Sequence, residues 1–308
     1  MKTHYLPRWL LRRFWGDDRL MEFDIFTGRI NPRGLKKSGA GDDDWPPDIE
    51  TSIMTKHDTR AEQIHRLRIA NKTRVILTDS ERGDFALWMA LFMPRVPQGM
   101  ASIETMIEQA KESRELPVDI MYERRADVIQ LMRRRNEKLY SEMVEEFGKN
   151  DTDEFLLAIL AERIRDSTEK FLPDPKEAYH SHLRTTDLPE FAKILCEYNW
   201  VWLYSPHGFV IGDNPLARWS TKHQRWNYGI RKNIEITLPL GKNLCLRLDR
   251  RKWQHNNRLQ YCPRELTHVY NMRQRLAAIK AVYGPSQKPL EALLRPISRR
   301  IWAPKPPP

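Results

Sequence analysis

The apolar pattern of this chain changes period near residue 199, and that change decides what it can fold into. Upstream, from about residue 57, apolar residues recur at three- and four-residue intervals, the spacing of helices that bury one face. Downstream come short aliphatic and β-branched runs broken by turn residues: "WVWLYSPHGFVIGDNPL" from Trp200, "NIEITLPLG" from Asn233 and "NLCLRLD" from Asn243. These read as strands. The first run predicts two strands joined at Ser205 to Gly208, the second of them closing at Asp213. The other two runs predict strands joined by a turn at Gly241 to Asn243. "ELTHVYNMRQRLAAIKAVYG" then predicts a helix ending at Gly284.

The N-terminal part is mixed. Leu6, Trp9, Leu10 and Phe14 have helical spacing, with arginines on the other faces. "RLMEFDIFTGRI" predicts a strand from Arg19 that ends in a turn at Thr27-Gly28, and residues 32–48, rich in Gly, Pro and charge, predict a loop. In "LTDSERGDFALWMALFMPRVP", Thr78 or Asp79 can cap a buried helix, Glu81 sits where a capping box needs it, and Pro94 and Pro97 stop the helix. Gly148 predicts a helix C-cap. The basic cluster Arg133-Arg134-Arg135 reads as a solvated helix face, with a nucleic-acid-binding stripe as the sharper alternative. The class is α+β: a mixed, largely antiparallel sheet with a helix-rich middle region packed on it. The expectation is a single domain over 1–308, with a helical subregion at about 57–198, sheet regions at about 19–30 and 200–250, and a Pro-rich tail at 303–308.

Charge narrows the partners. The 308 residues carry a formal net charge of +11, which favours a polyanion such as nucleic acid or anionic lipid; the plainer reading is an Arg-rich chain that is basic without such a partner. Three widely spaced cysteines, Cys196, Cys245 and Cys262, fit a reducing cytoplasm and no disulfide framework. No apolar run is long enough for a spanning helix, so no membrane partner is expected. Arg8, Arg12 and Arg13 break the opening stretch, which removes a secretion-signal reading.

Motifs in this order resemble those of a bacterial and phage family catalogued as domain of unknown function 4238. They are His4-Tyr5-x-Pro7, then Leu11, Arg12 and Phe14, then Thr27-Gly28. Arg95-Val96-Pro97, Asp213-Asn214-Pro215 and Pro239-Leu240 follow, and Asn271, Ala277, Ala278 and Tyr283 close the series. The resemblance spans nearly the whole chain and implies no established activity.

The residues themselves offer several chemistries. Asp213, at the end of an apolar strand, and Asn214 could orient a substrate or hold a divalent cation; the plainer reading is an Asx-turn before Pro215. The pairing of Asp with Glu-x-Lys seen in many nucleases is only half present, since Ile236 and Thr237 follow Glu235. His4 could act as a general acid or base, and Arg95 could clamp a phosphate or pair with Asp213 inside the core. With Asn271 they would form a compact site if they converge. His180 and His182 could bind a metal in an extended segment, but no third ligand is evident nearby. Lys222, Arg225, Trp226 and Arg231, beside Trp219, and then Arg250, Arg251 and Trp253 mix cations with aromatics, which suits single-stranded nucleic acid; the plainer reading is solvated loops. Two functions remain open. One is a nucleic-acid- or nucleotide-directed hydrolase, an RNase or a defence-type effector. The other is a non-catalytic nucleic-acid-binding or scaffolding module in which the same polar residues lock the fold.

Overall fold

A computed structural model describes residues 3–16, 19–41, 55–95, 105, 116–171, 177–178, 180–181, 188–220, 225–226, 234–250 and 259–294. The chain divides into two compact units, Met1–Met100 with His180–Pro308, and Ala101–Tyr179. The second unit is narrower than the helical subregion expected from periodicity, because the helices on either side of it pack in the first.

In chain order the elements are β1 (Thr3–His4), α1 (Arg8–Arg12), β2 (Leu20–Asp24), β3 (Ile30–Arg33), β4 (Ala40–Gly41), α2 (Lys56–Ile64) and α3 (Asp79–Arg95). The second unit holds α4 (Leu116–Glu123), α5 (Arg125–Arg135), α6 (Glu137–Phe147) and α7 (Lys149–Phe171). The first unit resumes with α8 (Leu188–Cys196), β5 (Asn199–Tyr204), β6 (Ile211–Gly212), β7 (Ala217–Ser220), β8 (Arg225–Trp226), β9 (Ile234–Gly241) and β10 (Leu244–Asp249). It ends in β11 (Gln260–Tyr261), α9 (Arg264–Ala277), β12 (Ala281–Gly284) and α10 (Gln287–Glu291).

The class is α+β. A six-stranded sheet runs β11-β5-β10-β9-β7-β8, a four-stranded sheet runs β3-β2-β12-β6, and β1 pairs with β4. All these pairs are antiparallel except β11 with β5. The β9–β10 turn falls where the sequence predicts it. β5 and β6 do not pair with each other: the bend at Ser205–Gly208 carries the chain from one sheet to the other.

β9 is buried along its whole length, so both faces of the larger sheet are covered. Strand alternation puts Glu235 and Thr237 on one face and Ile234, Ile236 and Leu238 on the other. Arg247 stands opposite Thr237 in the register and joins the polar face. α9 covers that face. The opposite side is aromatic: Trp200 lies 6.0 Å from Phe85 of α3, and the Arg82 guanidinium sits 4.6 Å over the Trp200 ring. The α3 helix begins as predicted, with the Thr78 amide donating to Glu81 and the Glu81 amide donating to Thr78 Oγ1.

Three expectations are corrected. The last long helix stops at Ala277, and Ala281–Gly284 becomes a strand between β2 and β6. The segment from Phe209 to Asp213 contributes a strand of only two residues, Ile211–Gly212. The region read as loop from residue 32 includes the end of β3 and all of β4. Gly28, at φ +68°, makes the β2–β3 turn, and the Asp24 carboxylate accepts the amides of Phe26 and Thr27 there. Gly212 is needed for space: a Cβ there would lie 2.8 Å from the Gln274 carbonyl oxygen of α9.

The helical unit packs around Val118, Met121, Ile129, Tyr140, Leu157 and Ala161. Tyr140 donates to Asp153 at 2.7 Å inside it. Gly148, at φ +82°, ends α6 as expected. Arg133, Arg134 and Arg135 are exposed.

Candidate nucleic-acid interface

The Asp213 carboxylate is fully buried and faces the turn between α9 and β12. Oδ1 accepts the Ile279 amide at 2.9 Å, and Oδ2 accepts the amides of Lys280 and Ala281 at 2.6 and 3.1 Å. Burial raises its pKa above the ordinary carboxylate value, and the three amides oppose that rise. A divalent cation at Asp213 would have to displace all three N–H donors, whose positive ends already occupy both oxygens. The expected cation role for Asp213 therefore gives way to a structural one.

Asn271 is committed in the same way. Its Oδ1 accepts the Val210 amide at 3.0 Å and its Nδ2 donates to the Gly208 carbonyl at 2.9 Å. Gln274, one turn further along α9, accepts the Gly212 amide and donates to the Pro215 carbonyl. These two amide side chains clamp the segment on either side of Ile211 to the helix. Asn214 is buried with it. Of the four residues that would form a compact site if they converge, Asp213 and Asn271 are both bonded within the fold. The side chains of His4 and Arg95 lie outside the description; His4 pairs through its backbone with Ala40.

Sequence reasoning missed Tyr5. Its phenol is buried and hydrogen-bonded to Tyr283, and its pKa is pushed up by burial and by the nearby Asp213 and Glu22 carboxylates. Tyr283 in turn accepts the Gly39 amide at 2.9 Å. The opening segment is thus tied to the four-stranded sheet close to Asp213. A tyrosine beside a histidine in a short amphipathic stretch was the available signal.

Under α9 lies a buried ionic layer. Arg273 bonds to Glu235, and Arg247 reaches Tyr270 at 3.4 Å and Asp249 at 3.3 Å. The Arg273 guanidinium also lies 5.2 Å from the Trp219 ring centroid. Trp219 is therefore a core residue and offers no stacking platform.

Of the two basic–aromatic stretches, Lys222, Arg231, Arg251 and Trp253 fall outside the described residues. Arg225 and Trp226 are described as backbone only, paired with Ser220 and Trp219. Arg250 is taken up by Glu197 at 3.2 Å and stacks 4.9 Å over Tyr198, so its charge is largely spent within the fold.

The exposed basic surface is elsewhere. α1 buries Trp9, Leu10 and Leu11, which leaves Arg8 and Arg12, one turn apart, on its outer face. The β3–β4 connection folds back beside it: Ser38 Oγ donates to the Gly34 carbonyl at 3.1 Å, and the Leu6 amide donates to the Gly39 carbonyl at 3.2 Å. This brings Lys36 and Lys37 opposite the two arginines. The result is a groove of about 600 Å³ lined by Arg8, Arg12, Arg33, Lys36 and Lys37 together with Pro32, Gly34 and Leu35. No carboxylate is among these lining residues. Arg33 is held charged by Glu22 beneath it at 2.8 Å, and Arg12, Lys36 and Lys37 are exposed. Among the described residues no three His, Cys, Asp or Glu side chains gather as a metal-ligand set, and no helix is long and apolar enough to cross a membrane.

A family model described as Protein of unknown function (DUF4238) matches residues 2–288. No curated protein and no solved structure matches the chain.

Proposed function

The chain belongs to that family, and from its own surface we propose that it binds nucleic acid through the phosphate backbone. The groove between α1 and the β3–β4 connection carries the reading: cations on both walls, no acidic group in the lining and a concave shape that a polyanionic strand can follow. The net charge of +11 extends the attraction beyond the groove and would speed encounter. Backbone contacts of this kind position a strand without reading its sequence.

The binding-module reading is favoured over the hydrolase reading because Asp213 and Asn271 are spent on the fold. A phosphodiester hydrolase on this scaffold would need other groups for its chemistry. The test is fluorescence anisotropy with labelled single-stranded RNA, single-stranded DNA and duplex DNA at two salt concentrations. Tight binding that weakens steeply with salt, and is lost in the variant Arg12→Glu/Lys36→Glu/Lys37→Glu, is the expected result. Equal affinity of that variant and the parent chain would overturn the reading.

A further inference from the structure

We infer that a second cleft in the same unit binds a phosphate monoester of nucleotide size. The cleft has a volume of about 720 Å³, within the range of small-molecule sites. Its walls are the bend after β5, the β9–β10 turn, the first two turns of α9 and the start of α10.

The floor is rigid and chemically satisfied. Asn271 spends its amide on Gly208 and Val210, and Thr267 Oγ1 bonds to Ser205 and the Pro263 carbonyl. Recognition therefore falls to the rim. Lys242, Arg264 and Lys288 line it, against the single carboxylate of Glu265, and the imidazoles of His207 and His268 face the same space. Three cations against one carboxylate leave an excess of two positive charges, which matches a phosphate dianion better than a carboxylate or a neutral ligand. The imidazoles border this space, with His207 Nε2 at 3.5 Å from the Tyr261 hydroxyl, and their ring protons report on a charge placed beside them.

The rim is held in place before any ligand arrives. The Ser205 amide donates to Asn243 at 3.0 Å, and the Phe209 amide donates to Lys242 at 2.7 Å. Such bonds reduce the ordering that binding would otherwise require. The Lys242 amide donates to the Arg13 carbonyl at 3.0 Å, which ties the β9–β10 turn at the edge of the cleft to the end of α1, the helix that carries Arg8 and Arg12. The phosphate could thus belong to a free mononucleotide or to the end of a strand lying in the groove. The chemistry that recognises it is the same.

The experiment uses the full chain. Inorganic phosphate and a 5′-mononucleotide are titrated while the ring-proton NMR signals of His207 and His268 are followed, assigned by His→Gln substitution. The expected result is a saturable shift of both signals at millimolar ligand or below. Lys242→Ala/Lys288→Ala should weaken binding at least tenfold without changing the thermal melt; should that double variant fail to fold, Lys288→Gln alone serves the same purpose. No saturable shift, or unchanged affinity in a folded variant, overturns the inference. A single-stranded RNA with a 5′-phosphate that competes tenfold better than its 5′-hydroxyl counterpart identifies a strand end as the ligand; a mononucleotide that competes equally well identifies the free nucleotide. The groove variant Arg12→Glu/Lys36→Glu/Lys37→Glu should retain phosphate binding. Failure here and failure of the groove are therefore separable: oligonucleotide binding without phosphate binding sinks only this inference, and the reverse sinks only the groove.

Discussion

Asp213 and Lys280 are joined by a 2.6 Å bond from the Lys280 amide to the carboxylate, across the turn that ends α9. The same carboxylate takes the amides of Ile279 and Ala281. An acid at the close of an apolar run is here the staple that bends a helix into a strand.

Replacing it should therefore damage the fold. Asp213→Ala leaves three buried or part-buried amides without their acceptor, and charge-assisted bonds of this kind make the loss about 3 kcal/mol or more. Asp213→Asn keeps one good acceptor and should lose less. Urea unfolding of both variants measures this. A variant as stable as the parent would return Asp213 to the list of functional residues.

The Glu235–Arg273 pair makes a second stability prediction. Both side chains are buried between the six-stranded sheet and α9. Arg273→Met alone takes one buried cation away from the Glu235 carboxylate and should lose about 3 kcal/mol. Adding Glu235→Leu removes the carboxylate as well and should recover part of that loss. A double variant no more stable than the single one would show that the arginine acts through its contacts with Trp219 and Tyr270 instead.

How far the sequence discloses such features depends on the range of the interaction. The Thr78–Glu81 capping box, the Gly28 turn and the β9–β10 turn are made by neighbours in the chain, and periodicity and turn chemistry locate them. β12 is different. Ala281–Gly284 continues a helical pattern of apolar residues, and only the slot between β2 and β6, with Asp213 bending the chain into it, makes those residues a strand. The basic groove shows the same division. The outward spacing of Arg8 and Arg12 is legible in α1, and Lys36-Lys37 is a visible pair. That the two face each other depends on β1 pairing with β4 and on Gly39 bonding to Tyr283, contacts between distant parts of the chain. Asp213 and Asn271 stood out as polar residues in apolar surroundings, but that signal is shared by catalytic groups and by buried clamps.

His65 should make stability depend on pH. It is buried, its ring lies 5.4 Å from that of Trp9, and burial followed by the nearby Arg13 charge lowers its pKa from 6.5 to about 4. Between those values the unfolded chain binds a proton that the folded chain excludes, so stability falls as pH drops from 6.5 toward 4. The full effect of that shift is about 3 kcal/mol. Chemical unfolding at pH 7 and at pH 4.5 measures it, and His65→Phe should flatten the difference. An equal loss in the variant would assign the slope to other groups.

The groove makes a prediction about salt that a change in affinity alone would not test. Each cation that neutralises a phosphate releases counterions, so the slope of log affinity against log salt counts the contacts. Arg12, Lys36 and Lys37 are exposed, and truncating them to Ala removes charge without opening the core. If these three side chains meet phosphates, the triple Ala variant should bind more weakly, and its slope should fall by about 2 for a single strand. The loss should be the same for oligonucleotides of unrelated sequence, because backbone contacts carry no base information. Anisotropy titrations at four salt concentrations give the slope directly. A weaker variant with an unchanged slope would mean that these cations shape the groove without touching the strand, and the backbone-binding reading would not survive that outcome.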